Sequence, residues 1–126
     1  MQLRFIFLDY VLVFKMNYNG KKFKTVSNTD NGETSSDTIF CYQQEGNILT
    51  SSYKGGKIVN GHLIGIVDSD GVIDMRYHQI NSNGELMTGT CLSKPEVLEN
   101  DRIRLHESWQ WTSGDQSKGK SILEEI

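Results

Sequence analysis

Glu107 is the residue of this sequence best suited to chemistry, because it interrupts an apolar stripe. Residues 102–111 read Arg-Ile-Arg-Leu-His-Glu-Ser-Trp-Gln-Trp, and their alternation with a period of two is typical of a β-strand with one buried face. The members of that face are Ile103, Leu105, Glu107, Trp109 and Trp111. A carboxylate there loses its water, so we expect it to bond a Tyr, Trp or Arg side chain or to keep its proton to a higher pH. Such a group can anchor a ligand or act as a general acid or base.

The other reactive residues do not form a convincing site. His62, His78 and His106 fall on three different predicted strands, the last two on outer faces, so we expect no metal site. Cys41 and Cys91 lack the spacing of metal ligands or of a disulfide framework, and we interpret both as small buried side chains. The sequence contains neither a nucleophile elbow nor a phosphate-binding loop. We therefore expect no cofactor, and no catalytic residue except Glu107 if the protein is an enzyme.

Eight short segments with the pattern of β-strands would position these residues. Turn-forming residues separate them, and the apolar spacing of an amphipathic helix is absent from the sequence. The predicted strands are residues 23–27, 38–44, 48–53, 58–67, 72–80, 85–92, 102–111 and 120–125. Gly61 and Gly65 lie inside the fourth strand, which indicates a bend or a close approach of the backbone. Pro95 and residues 99–101 predict an irregular connection before the seventh strand.

Sequential hairpins of this kind form a meander, which removes its open edges most easily by closing on itself. The sequence therefore predicts an all-β, single-domain fold: an eight-stranded antiparallel meander closed into a calycin-like barrel, lipocalin- or avidin-like in architecture. The interior of such a barrel holds side chains or one small ligand. The predicted inner face contains Phe40, Tyr42, Met75, Tyr77, Leu105, Glu107, Trp109 and Trp111, with Gln44 at one end. The candidate ligand-binding residues among them are Tyr42, Tyr77, Glu107, Trp109 and Trp111.

Residues 1–15 stand apart from the strand pattern. Arg4 precedes an apolar run that Asp9 interrupts, no small-residue cleavage site follows, and the run is too short to span a bilayer. Residues 16–20 are a polar turn that begins with Met16, which makes a natural start for a domain. We therefore divide the chain into an N-terminal extension of doubtful role, residues 1–15, and a β-barrel domain, residues 16–126. We expect Met16 to be the real start of the protein and residues 1–15 to be an upstream extension of the gene model; the alternative is that they are a leader for export.

Four motifs carry a resemblance to a known family. They are Asp-Met-Arg-Tyr-His at 74–78, Gly-Glu-Leu-Met-Thr-Gly at 84–89, Ile-Arg-Leu-His-Glu-Ser-Trp-Gln-Trp-Thr-Ser-Gly at 103–114, and the terminal Glu-Glu-Ile. Together they resemble, over residues 16–126, a family of small bacterial proteins commonly labelled N-acetylglutamate synthase. The resemblance implies an amino-acid N-acetyltransferase. The usual acetyl-CoA-binding superfamily needs a glycine turn that starts a helix. The nearest match, residues 43–48, fails at its last position and precedes a strand, so we expect no true acetyltransferase.

The function that we expect is the binding of a small molecule in the aromatic-lined interior, without catalysis. Two alternatives stay open: an enzyme acting on a small acyl or amino-acid substrate, and a packed structural or interaction module. The net charge of −3 and the lack of a basic patch with interleaved aromatics argue against a nucleic-acid partner. We expect no membrane partner and a cytoplasmic location, with export only if residues 1–15 act as a leader. The sequence specifies neither the ligand nor the oligomeric state.

Overall fold

The computed structural model describes residues 16–126, which form a closed barrel of eight antiparallel strands. The strands are β1 Lys22–Asn28, β2 Ile39–Glu45, β3 Ile48–Gly55, β4 Ile58–Val67, β5 Ile73–Asn81, β6 Leu86–Val97, β7 Ile103–Trp111 and β8 Lys118–Glu125. Each strand pairs with the next one along the chain, and β8 pairs back with β1. The predicted eight-stranded meander closed into a barrel is confirmed. The predicted N-terminal extension, residues 1–15, lies outside the described residues.

The connection before β7 differs from the prediction. β6 continues through Pro95, which pairs with Leu105 of β7, and the turn comes only after Val97. The reason is that β5 pairs with β6 only as far as Ser93. Beyond that point β6 has a neighbour on one side, so the missing N–H of the proline can face the side without a strand and costs no ladder hydrogen bond.

The pairing between β1 and β2 is short and leaves a gap at one end of the wall. Residues 22–24 pair with residues 39–41, whereas on its other side β1 pairs with β8 as far as Asn28. The chain between these strands, residues 29–38, leaves the wall and turns over this end of the barrel; we call it the mouth loop. It contains only polar residues and one glycine.

Tyr18 closes the opposite end of the barrel. Its side chain is fully buried, and its hydroxyl donates a hydrogen bond of 2.5 Å to the carbonyl of Gly71. Its ring packs edge-on against Phe23 and Tyr42. Met16 is partly buried against the same core, so residues 16–18 already belong to the barrel domain. One end of the barrel is thus plugged by an aromatic ring, and the other is covered by a polar loop.

The inner face follows the predicted alternation. Both tryptophans of β7 are buried, as are Phe40, Met75 and Leu105. One burial prediction is wrong: Cys91 is buried but Cys41 is exposed, because Cys41 alternates with Phe40 and Tyr42 and therefore points outward. No helix among residues 16–126 is long and apolar enough to cross a membrane.

Three inward glycines make room for three aromatic rings. The register places each glycine directly opposite its ring on the neighbouring strand: Gly61 opposite Tyr53, Gly89 opposite Tyr77, and Gly119 opposite Trp109. In each pair a Cβ on the glycine would overlap the aromatic ring. The rings therefore lie flat along the barrel wall. The close approach predicted at Gly61 is made by the side chain of Tyr53.

Candidate functional site

A cavity of about 50 Å³ lies inside the barrel, between the mouth loop and Glu107. Its aromatic walls are Phe40, Tyr53, Tyr77, Trp109 and Trp111. Its polar lining comes from Asn28, Glu33, Thr34, Gln79, Glu107 and Ser121. Ligand pockets usually measure roughly 300 to 1,000 Å³, so with the mouth loop in this position the cavity holds a few water molecules and no metabolite.

Four of the five predicted ligand-binding residues border this cavity. Tyr77, Glu107, Trp109 and Trp111 line it. Tyr42 does not line it, because its ring packs against Phe23 and Tyr18 at the plugged end, with ring centroids 4.7 and 6.0 Å away. The residue of β2 that reaches the cavity is Phe40, which lies on the same face as Tyr42 and two residues nearer to the mouth.

Glu107 faces the barrel interior, as its place in the alternation predicts, and lies between two serines. The register places Ser93 of β6 and Ser121 of β8 on either side of it. The hydroxyl of Ser121 donates a hydrogen bond of 3.1 Å to Glu107 Oε1. The expectation of a Tyr, Trp or Arg partner is therefore wrong: the strands on both sides of β7 bring serines to this level of the barrel.

Burial raises the pKa of Glu107 from its ordinary value of 4.5 to about 7. The serine hydroxyls of residues 121 and 93 oppose the rise, since both lower this pKa. Among residues 16–126, the hydroxyls of Ser93 and Tyr42 are buried and make no hydrogen bond of standard geometry. Glu107 therefore changes its charge near neutral pH, in a part of the interior that also contains the buried hydroxyls of Ser93 and Tyr42.

Two polar atoms of the aromatic walls bond residues at the mouth. Trp111 Nε1 donates to the carbonyl of Asn31 in the mouth loop at 3.0 Å, and the Tyr53 hydroxyl donates to Gln79 Oε1 at 2.7 Å. Burial raises the pKa of the Tyr53 and Tyr77 hydroxyls well above the ordinary value of 10, so both stay protonated at neutral pH.

The mouth contains three polar residues that sequence reasoning missed. The carboxylate of Glu33 accepts hydrogen bonds of 2.8 Å from Gln79 Nε2 and from Asn81 Nδ2. A signal for the last two was present, because Gln79 and Asn81 continue the alternation of Met75 and Tyr77 along β5. Glu33 had no such signal, because it lies in a loop without periodicity.

The histidines lie outside the barrel. His62 and His78 face each other across β4 and β5 with ring centroids 5.7 Å apart, and His106 bonds Glu96 at 2.8 Å. The outward positions predicted for His78 and His106 are confirmed. Among residues 16–126 no three His, Cys, Asp or Glu side chains lie close enough together to hold a metal ion.

Residues 16–126 match the family described as avidin-like protein. The match begins at Met16, the first residue that the structure describes, and it spans all eight strands. Comparisons with curated proteins and with solved structures gave no significant match. The closed eight-stranded meander with an aromatic interior fits the calycin-like architecture predicted from the sequence. The chain belongs to the avidin-like family.

Proposed function

We propose that this protein is a non-catalytic binding protein that holds a small molecule in the mouth end of its barrel. The supporting observation is the cavity itself, in which aromatic rings form the walls and one buried carboxylate, Glu107, lies at the inner end. Apolar walls with a few well-placed polar groups are typical of small-molecule sites. Avidin-like barrels bind small ligands such as biotin, which supports the same class of function here.

Binding requires the mouth loop to move, because the cavity of about 50 Å³ that it leaves is too small for a metabolite. Polar contacts hold this loop in place, and none of its side chains is apolar. Asn31 bonds Ser117 and Lys118 at the start of the neighbouring strand β8, and Asn28 bonds Thr34. Water can replace contacts of this kind at modest cost. The plugged end, with its buried aromatic packing, would stay closed.

A thermal-shift screen against a metabolite library, followed by tryptophan fluorescence, tests the proposal. The only two tryptophans of the protein border the cavity, so a bound molecule should change their emission. We expect ligands that raise Tm in the intact protein to lose their effect in Leu63→Phe, whose larger side chain would fill the cavity. The matched control is Ile64→Phe, because the adjacent residue points outward and is 56% exposed.

The same ligands should bind more weakly to Glu107→Gln and unchanged to Glu45→Gln, an exposed glutamate at the end of β2. Equal binding by Leu63→Phe and Ile64→Phe would show that the ligand lies elsewhere. If no library member binds, the interior is only a packed core and the binding proposal is wrong.

One observation favours a second candidate function, an enzyme acting on a small acyl or amino-acid substrate. The raised pKa of Glu107, about 7, suits a general acid or base at neutral pH. Incubating a ligand from the screen with the intact protein and with Glu107→Gln, and following its mass, separates the two candidates. A product that forms only with the intact protein would identify an enzyme; an unchanged ligand supports binding alone.

A further inference from the structure

Gln79 and Asn81 present two hydrogen-bond donors at the mouth whose direction does not depend on the mouth loop. The hydroxyl of Tyr53 donates to Gln79 Oε1, which turns Gln79 Nε2 away from Tyr53. The backbone N–H groups of Asn83 and Glu85 donate to Asn81 Oδ1 at 3.0 Å each, which fixes the amide of Asn81 in the same way. Both side chains are only 3% exposed. We call Gln79 Nε2 and Asn81 Nδ2 the mouth donors.

The mouth donors hold the two oxygens of one carboxylate. Glu33 Oε1 accepts from Gln79 Nε2 and Glu33 Oε2 accepts from Asn81 Nδ2, each at 2.8 Å. Among residues 16–126 no Lys, Arg or His forms a salt bridge with Glu33, so neutral amides alone hold this charge. The second hydrogen of the Asn81 amide is directed to Glu85 at 2.9 Å, which places two carboxylates on one amide group. Their mutual repulsion favours release of Glu33.

Removal of the mouth loop would leave three buried or half-buried donors without acceptors. They are the two mouth donors and Trp111 Nε1, whose acceptor is the loop carbonyl of Asn31. Water can accept from these donors in an open mouth, but a donor that is buried again without a partner is costly, so a ligand that excludes this water must supply acceptors. A carboxylate suits best, because the spacing of the mouth donors already fits the two oxygens of one carboxyl group.

We propose that Glu33 is an internal substitute for the carboxylate of the ligand, and that the ligand of this barrel is a small carboxylic acid whose acid group displaces Glu33 from Gln79 and Asn81. The proposal rests on the proposed binding function and adds the class of ligand. It also assigns a regulatory role to the mouth loop, which competes with the ligand for the same donors. The apparent affinity of the intact protein is lowered by the fraction of molecules in which Glu33 occupies the site.

The test compares hexanoate with hexanamide, which share an apolar chain and differ in the acid group. Binding is followed by tryptophan fluorescence and Tm at constant ionic strength, so that screening stays the same. Glu33→Ala should bind hexanoate about tenfold more tightly than the intact protein, with a smaller gain for hexanamide. Asp37→Ala is the matched control, because this exposed acid of the same loop makes no side-chain hydrogen bond among the described residues.

Gln79→Leu in the Glu33→Ala background should remove the preference for hexanoate over hexanamide. Glu33→Gln is a second variant that keeps the size of the side chain while removing its charge, and it should fall between Glu33→Ala and the intact protein. Equal affinity of Glu33→Ala for acid and amide would overturn the assignment of a carboxylate, as would a preference that survives Gln79→Leu.

The failure of this proposal is distinct from failure of the binding function. If Glu33→Ala does not bind hexanoate, but the barrel binds a neutral metabolite and Leu63→Phe abolishes that binding, the binding function stands and the carboxylate assignment is wrong. If neither the intact protein nor Glu33→Ala binds any tested molecule, both proposals are wrong.

Discussion

Glu107 is a titratable residue that is buried, so water does not stabilise its charged form. Its folded-state pKa of about 7 exceeds the ordinary value of 4.5 that the unfolded chain would show. The folded protein thus binds this proton more tightly, so the contribution of Glu107 to stability is most favourable below pH 4.5 and is lost as the pH rises through 7. The total change in the free energy of unfolding across this pH range is on the order of 3 kcal/mol, because one pKa unit corresponds to about 1.4 kcal/mol.

Glu107→Gln should therefore gain stability relative to the intact protein as the pH rises. Between pH 5 and pH 8 we expect the difference in free energy of unfolding to move in favour of the variant by about 2 to 3 kcal/mol, measured by urea denaturation at each pH. Glu45→Gln, at an exposed position at the end of β2, is the matched control. A difference independent of pH would mean that Glu107 titrates at its ordinary value.

Trp109 and Trp111 are the largest side chains of the cavity wall. Truncation of either residue to alanine should cost roughly 3 to 5 kcal/mol, because each buries a large ring: Trp109 lies on Gly119, and Trp111 contacts Tyr77 at a centroid distance of 5.7 Å. Ser108→Ala, an exposed position between the inward residues of the same strand, should stay within about 0.5 kcal/mol of the intact protein. Denaturant unfolding measures all three; a loss below 1 kcal/mol for either tryptophan would contradict its role in the wall.

At the scale of the strands, aromatic rings lie against glycines on the neighbouring strand, and Gly61 is the clearest case. Alanine at position 61 would overlap the ring of Tyr53, so we expect a loss of about 1 to 3 kcal/mol in the free energy of unfolding. In a Tyr53→Leu background the same substitution should cost less, because the obstructing ring is gone. Asn60→Ala, at the preceding exposed position, serves as the control. Equal costs in both backgrounds would show that the ring is not the obstacle.

The strand pattern could be predicted because alternation is a local property. β4 begins and ends at the predicted residues, and the alternation of β7 placed Glu107 inside. What could not be predicted depends on register or on contacts that are distant in sequence. The serine partners of Glu107 come from the register of β6 and β8 against β7.

The path of the mouth loop is the clearest example of a feature that the sequence alone does not show. Asn31 bonds Lys118, and Glu33 bonds Gln79, both far away along the chain. Turn-forming residues predict a loop at this point, but they do not say which wall the loop crosses to. The aromatic walls of the candidate site were therefore predicted except for Tyr53, with Tyr42 placed there wrongly, and the polar mouth was missed.

At the scale of the molecule, residues 16–126 contain every strand of the closed barrel and the whole family match. A shortened chain that begins at Met16 should fold and keep Tm within a few degrees of the full-length protein, because the sheet is complete without residues 1–15. Differential scanning calorimetry of the two chains checks this expectation. A shortened chain that is unfolded, or melts far lower, would show that the extension contributes to the barrel.

The closure of β8 onto β1 also has a consequence for the rate of folding. Every other strand pair joins neighbours in sequence, whereas Phe23 must meet Glu125 from the far end of the domain, and such non-local pairing slows folding. In the folded barrel the two ends are adjacent, since Ile126 N donates to Lys22 O at 2.9 Å. A circular permutant that links residue 126 to residue 16 and opens the chain between Ser35 and Ser36 makes this pairing local. In the permutant, the only pairing between distant parts of the chain is the short β1–β2 ladder. We therefore expect the permutant to refold faster than the natural chain, as measured by stopped-flow tryptophan fluorescence.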